Sequence, residues 1–358
     1  MEEILPEWQQ QIKDSIRSLD ALLSVFPEIQ IHEGMREAER KFPMSLTPYY
    51  ASLIRRPDFS DPVFAQCVPQ QAELLSPKWL SEDPLAERSC SPTPRLIHRY
   101  PDRVLIIATS ACAAYCRHCT RKRVSSQCDA AISDEELEAC VAYLKTHPEV
   151  DDVLVSGGDP LMLTDNRLTT ILSSIRRIES VKVIRIASRV LVTLPMRITP
   201  GLVDILRANA PVFVNTHFNH PVELTPTAIA AANRLTDAGI PVANQTVLLR
   251  KINDSAEIIE KLCRQLFHNR IRPYYLFQCD LVQGIEHLRT PLSTGIDIMR
   301  QLRGRLSGMA IPNFAVDTPG AGGKVELLPE SIIGQTATGT LLLNSRGEKV
   351  LYPDPEIK

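Results

Sequence analysis

From residue 103 onward, short runs rich in β-branched residues alternate with helical patterns, and nothing else in the chain limits its fold as strongly. The runs are RVLIIAT, DDVLVSG, VKVIRIAS, PVFVNTHF, PVANQTVLL, RPYYLFQCD and PNFAVDT. Between them lie SDEELEACVAYLKTH, DNRLTTILSSIRRI, TPGLVDILRANA, TPTAIAAANRLTDAG, DSAEIIEKLCRQLF and LSTGIDIMRQLRGRL. Ser133 and Glu136 read as a capping box, Thr199-Pro200 and Thr225-Pro226 as N-caps followed by N1 prolines, and Gly239 as the glycine just past a helix end. Strand and helix in this order predict right-handed βαβ units on a parallel sheet.

Two arrangements satisfy that prediction, a doubly wound sheet and an open TIM-type barrel. The strand ends separate them. Nearly every run closes on polar groups: Ser156 to Asp159, Ser188-Arg189, His217 to His220, Cys279-Asp280, Asp317-Thr318. A barrel gathers all its strand ends on one rim, whereas a doubly wound sheet uses only those beside its switch point. The expected fold class is therefore α/β, a partial (open) TIM-type βα barrel over 99–325. An α-rich accessory region precedes it over 1–98. A short tail follows over 326–358, with a hairpin turning at Asn344-Ser345-Arg346-Gly347.

The chain has 358 residues, enough for a sizeable core. Its opening is polar and acidic, and no run approaches the roughly 18 apolar residues of a membrane span, so the expected location is the cytoplasm. Lys+Arg 40 against Asp+Glu 42 gives no electrostatic case for nucleic acid or an anionic membrane, leaving a small molecule as the expected partner.

Nine cysteines without a secretion signal do not form a disulfide framework. Cys140 shares a helical face with Leu137, Val141 and Leu144, and Cys263 with Ile259, Leu262 and Leu266, so both belong to packing. Cys67, Cys90 and Cys128 have no patterned partners. Cys112, Cys116 and Cys119 differ, being crowded into TSACAAYCRHCTRKR directly after the first run. Zinc is one reading of CxxxCxxC with His118 inside it, although no second ligand pair follows at a suitable distance. An iron-sulfur cluster is the other; three thiolates leave one iron open, which suits a catalytic cluster rather than an electron carrier.

With SGGDP after the second run, this motif resembles the radical S-adenosylmethionine superfamily. HRYPDRVLIIATSACAAYCRHCTRKR, VNTHFNHPVELT, PYYLFQCD, GIEHLRTPLSTGI and VDTPGAGGK together resemble the lysine 2,3-aminomutase family, from about Asp83 to about Leu328. The resemblance implies a [4Fe-4S] cluster on Cys112, Cys116 and Cys119, S-adenosyl-L-methionine, and pyridoxal 5′-phosphate. It implies that Lys324 links to pyridoxal phosphate, that Arg99, Tyr100 and Arg103 lie at the phosphate, and that Gly157, Gly158, Asp159, His217 and Gln245 neighbour S-adenosylmethionine. Arg121 matches the holder of the substrate carboxylate, and Asp280 and Asp317 match the pair that grips the side-chain ammonium of lysine. The implied reaction moves the 2-amino group of L-lysine to C3, giving β-lysine, with a protein such as flavodoxin or ferredoxin as reductant. Alternatives are a related enzyme serving elongation factor P, or an aminomutase for glutamate or arginine. Oligomeric state stays open between monomer and homo-oligomer. Longer family members carry a zinc site; here Ser255 stands at its first cysteine position and no cysteine follows Cys279, which puts zinc in doubt.

Overall fold

Each run is a strand in the computed structural model, which describes residues 5–125, 130–336, 339–344 and 346–353. One sheet follows chain order: β1 (Leu96–Tyr100), β2 (Arg103–Thr109), β3 (Asp152–Gly157), β4 (Val183–Ala187), β5 (Val212–Thr216), β6 (Val242–Leu248), β7 (Ile271–Gln278), β8 (Asn313–Asp317) and β9 (Lys324–Glu326). Strands β2 to β8 are parallel, while β1 and β9 border them antiparallel.

Alternate residues of these strands meet different surroundings. In β6, Val242, Asn244, Thr246 and Leu248 are buried while Ala243, Gln245 and Val247 are half-buried, and β2 and β4 alternate likewise. A flat sheet covered on both faces would bury both sets; here one face is sealed and the other borders a hollow. The sheet also rolls. Arg99 of β1 reaches Asp317 of β8 at 3.3 Å, so side chains from the two ends of the strand order meet without the strands pairing. That is an open barrel.

Helices α1 (Glu7–Lys13), α2 (Leu19–Val25), α3 (Glu33–Lys41), α4 (Pro48–Ala51) and α5 (Phe64–Cys67) precede the sheet. Between successive parallel strands come α6 (Lys122–Ser125) with α7 (Asp134–Lys145), α8 (Asp165–Arg176), α9 (Val190–Thr193) with α10 (Pro200–Ala208), α11 (Pro226–Asp237), α12 (Ala256–His268) and α13 (Leu292–Leu302). The caps behave as expected: Ser133 Oγ accepts from the Glu136 N–H while a Glu136 carboxylate oxygen accepts from the Ser133 N–H. Cys140 and Cys263 are buried on their helix faces, and burial pushes both thiols up to about 12. Cys67 is buried in the core, Cys90 is half-buried, and Cys128 lies outside the described residues.

Three expectations change. Positions 98 and 325 fall inside β1 and β9, so neither is a boundary. The N-terminal region is not accessory: Trp8, Leu19, Leu22, Met35 and Phe64 share one continuous core with Leu137, Leu172 and Val214 of the barrel. The tail is a three-stranded antiparallel sheet, β10 (Ile332–Thr336), β11 (Gly339–Leu343) and β12 (Lys349–Pro353). Its β11–β12 hairpin was legible, with Gly347 at φ +78° and Ser345 outside the described residues; β10 was not.

Candidate active site

A cavity of about 750 Å³ occupies the barrel interior. Its walls are the half-buried alternate residues, such as Arg103 and Leu105, Asp152 and Leu154, Gln245 and Val247, Tyr275 and Phe277. The cavity therefore extends from the beginnings of β2 and β3 to the strand ends; the site is an axial channel rather than the rim alone.

One end is built for an anion. Arg99 Nε and Nη2 and the Tyr100 hydroxyl are buried without a hydrogen-bond partner among the described residues. Buried unmet donors cost about 1–3 kcal/mol each, so such a group is stable only if something accepts from it. Arg103 stacks over the Tyr100 ring at 4.0 Å while its Nη1 pairs with Asp102 at 2.9 Å. Arg185 joins them on the cavity wall, its Nε held by Asp152 at 2.8 Å.

A second region favours a cation. Asp317 accepts from Lys324 Nζ at 3.1 Å, and that ammonium lies 4.7 Å over the Phe277 ring. Asp280 accepts from the Thr120 hydroxyl. Burial, reinforced by the charge of Asp317 and opposed by the Thr120 bond, pushes its carboxyl up to about 6. Arg121 lines the same cavity and forks onto Glu87, Nε to Oε1 at 2.9 Å and Nη2 to Oε1 at 2.6 Å. His217 and Gln245 also face the cavity; burial first, then the Arg189 charge, holds His217 down at about 4, so it is neutral near pH 7.

Cys112, Cys116 and Cys119 lie on the loop after β2, and all three are half-buried. Among the described residues no three His, Cys, Asp or Glu side chains form a cage for a single ion. A four-iron cluster takes one thiolate per iron and needs no such cage. Main-chain bonds set the loop: Tyr115 N–H to Ser45 O at 2.9 Å, Arg117 N–H to Gln66 O at 2.8 Å, Gly158 N–H to Thr109 O at 2.6 Å and Asp159 N–H to Ala111 O at 2.7 Å. Arg189 Nη1 donates to Cys116 Sγ at 2.8 Å, while its Nη2 meets Tyr50, Gln66 and Glu223.

The SGGD segment also braces the strand ends and the cysteine loop. Asp159 does not face the cavity: its carboxylate accepts from the Ser188 hydroxyl and the Arg189 N–H, both at 2.7 Å, bracing the end of β3 against that of β4. The glycines serve a different contact, with the end of β2 and the start of the cysteine loop. A Cβ on Gly158 would stand 2.4 Å from Ala111 O, and one on Gly157, at φ +127°, 2.3 Å from Thr109 O. Backbone cannot yield as a flexible side chain does. Gly158→Ala is expected to displace the cysteine loop and lower iron per chain after anaerobic reconstitution; wild-type iron content and melting temperature would refute this.

A profile described as "Lysine-2,3-aminomutase" matches residues 299–358, and one described as "Radical SAM superfamily" matches residues 106–262. The L-lysine 2,3-aminomutase of Acetoanaerobium sticklandii is 44% identical over 98% of this chain and 85% of that protein. The chain belongs to the lysine 2,3-aminomutase family of radical S-adenosylmethionine enzymes. The L-lysine 2,3-aminomutase of Bacillus subtilis is 44% identical over 99% of this chain and 76% of its own length. The glutamate 2,3-aminomutase of Clostridioides difficile is 37% identical over 99% and 84%.

As a member of this family the protein is an isomerase, and the family implies an iron-sulfur cluster and S-adenosylmethionine. The donor set fits both groups: three thiols on one anchored loop, with His217 and Gln245 on the adjoining wall. The unmet Arg99 and Tyr100 donors fit a phosphate. Ser255 is the N-cap of α12. No helix among the described residues is long and apolar enough to cross a membrane. Sequence reasoning missed Glu87, Arg185 and Arg189. Arg189 was visible as a polar strand end without a role, whereas Glu87 sits in SEDPLAERSC with no pattern to mark it.

Proposed function

We propose that the protein is a pyridoxal phosphate-dependent L-lysine 2,3-aminomutase that produces β-lysine. The observation carrying this reading is the acidic region of the cavity, where the ammonium of Lys324 already rests against Asp317. That is the group at the far end of a lysine substrate, and its pairing with Asp317 supports reading this region as a seat for a primary ammonium.

When bound, S-adenosylmethionine on the cluster supplies a hydrogen-abstracting radical and pyridoxal phosphate supplies the carrier for the migrating nitrogen. The chain's own residues position, charge-match and exclude water. Cys112, Cys116 and Cys119 would hold the cluster. Gly157, Gly158 and Asp159 would set its loop, while His217 and Gln245 would meet S-adenosylmethionine from the wall. Arg99, Tyr100 and Arg103 would take the phosphate and Lys324 the aldehyde. Arg121 would hold the α-carboxylate, and Asp280 with Asp317 the ε-ammonium. A reductant of the flavodoxin or ferredoxin kind would supply the electron.

Charge decides between lysine and glutamate. Two carboxylates in a confined site repel, and the side chain of glutamate would add a third, whereas an ammonium relieves the pair. Anaerobic protein given S-adenosylmethionine, pyridoxal phosphate and a reductant should convert labelled lysine to β-lysine. Activity should fall on stripping pyridoxal phosphate and return on adding it. A preference for glutamate or arginine run alongside, or full turnover without pyridoxal phosphate, would overturn the reading.

A further inference from the structure

We propose that Glu87 is a positioning residue that holds Arg121 toward the substrate carboxylate and keeps it from collapsing onto Asp280, an inference resting on the carboxylate role assigned to Arg121 above. A guanidinium has two edges that can fork onto a carboxylate, the side-on edge of Nε with Nη2 and the end-on edge of Nη1 with Nη2. Glu87 takes the side-on edge: Nε donates to Oε1 at 2.9 Å and to Oε2 at 3.1 Å, and Nη2 to Oε1 at 2.6 Å. A second carboxylate then approaches end-on, in a plane that Glu87 has set.

Glu87 is itself held. Its side chain is 5% exposed, its N–H donates to Asp83 Oδ1 at 3.0 Å, and Arg123 Nη2 donates to Oε2 at 2.7 Å. The same segment touches the loop bearing Lys324, through the Gly320 N–H and Pro84 O at 2.9 Å. This tie makes residues 83–88 part of the site rather than a passing connection.

Two effects of Glu87 oppose one another. Its charge partly cancels that of Arg121 and so weakens attraction for a substrate carboxylate; its fork fixes a long side chain that otherwise has about 2 kcal/mol of rotamer freedom. The neighbourhood decides between them. Arg121 and Asp280 line the same cavity, and Thr120, the residue before Arg121, donates its hydroxyl to Asp280. An Arg121 released from Glu87 shares its cavity with Asp280, and a pairing between them would neutralise the carboxylate seat and the ammonium seat together. Orientation therefore outweighs the lost attraction.

Glu87→Gln keeps the shape and removes the charge. The expected result is a KM for lysine raised about tenfold or more, the scale of a lost hydrogen bond to a charged group, with iron content and S-adenosylmethionine binding unchanged. The acid limb of kcat/KM should move to lower pH as Arg121 nears Asp280, whose other neighbours are Thr120, Asp317 and Lys324. In an Arg121→Gln background, adding Glu87→Gln should change KM no further, because its effect passes through Arg121. Glu87→Asp, which retains the charge facing Arg123 but shortens the reach, should raise KM by an intermediate factor and serves if the glutamine variant does not fold. An unchanged or lower KM in both Glu87 variants, or a full additional penalty in the double variant, overturns the inference while leaving the Arg121 assignment standing. An Arg121→Gln protein with wild-type KM overturns that assignment and this inference with it.

Discussion

Asp280→Asn should yield a protein that melts higher than the wild type and hardly binds lysine. Burial raises the carboxyl from an ordinary 3.8 to about 6. The folded state therefore holds this proton more tightly than the unfolded chain does. Below about pH 4 both states are protonated and the side chain is neutral in its effect. Between about pH 4 and 6 the unfolded chain sheds the proton while the folded state keeps it, so stability falls across that window, and the cost levels off by pH 7 at on the order of 3 kcal/mol. Asparagine removes that cost and still accepts from the Thr120 hydroxyl, so the empty protein should gain several degrees. Lysine binding should lose on the order of 2–5 kcal/mol, because the ε-ammonium forfeits a desolvated partner. The wild-type kcat/KM for lysine should fall as pH drops through 6, and that limb should be missing in the variant. Thermal melts paired with lysine kinetics from pH 5 to 8 measure both halves. A variant that is less stable, yet keeps wild-type lysine kinetics, would show that Asp280 is a structural carboxylate outside the substrate site.

Removing one member of the Glu73–Arg117 pair should cost about 3–5 kcal/mol of stability, the scale of taking its closest partner from a buried charge. Glu73 is fully buried and Arg117 is 1% exposed. Arg117 Nε meets Glu73 Oε1 at 2.9 Å, while Nη1 donates to Pro43 O at 2.9 Å and Nη2 to Phe42 O at 3.0 Å. Every edge of the guanidinium is thus spent on the N-terminal region. Arg117 also lies between Cys116 and Cys119, so the pair clamps the cysteine loop as well as the core. Arg117→Met is expected to unfold at lower denaturant and to retain less iron after anaerobic reconstitution. Arg117→Met with Glu73→Gln should recover part of the stability, since of the buried charges only Lys122, 3.7 Å from Glu73, then loses this partner, but not the iron, because the carbonyl contacts of Arg117 are still missing. Single variants within about 1 kcal/mol of the wild type, or a double variant restored in both stability and iron, would remove the clamp.

The two clamps on the cysteine loop were unequally legible. Its cysteines and the SGGD segment stand in short motifs, so their spacing was readable, although the reason for the glycines was not. Their Cβ atoms would strike Thr109 and Ala111, residues that become neighbours only when β3 pairs with β2. Glu73 and Glu87 carry no motif at all.

What the sequence determined by itself was local: strands and helices, caps at Ser133, Thr199 and Thr225, the buried faces of Cys140 and Cys263, and the run of motifs that identifies the family. Each depends on residues within a few positions of one another, where backbone geometry and side-chain period act directly. Tertiary structure alone decided which charges meet. Arg121 finds Glu87 across 34 residues, Arg117 finds Glu73 across 44 and Arg99 finds Asp317 across 218. Any of the chain's 42 acidic residues could in principle pair with any arginine. The rolled sheet selects among them, since closing a barrel fixes which alternate residues face inward, and burial then allows a charge to remain only beside a partner.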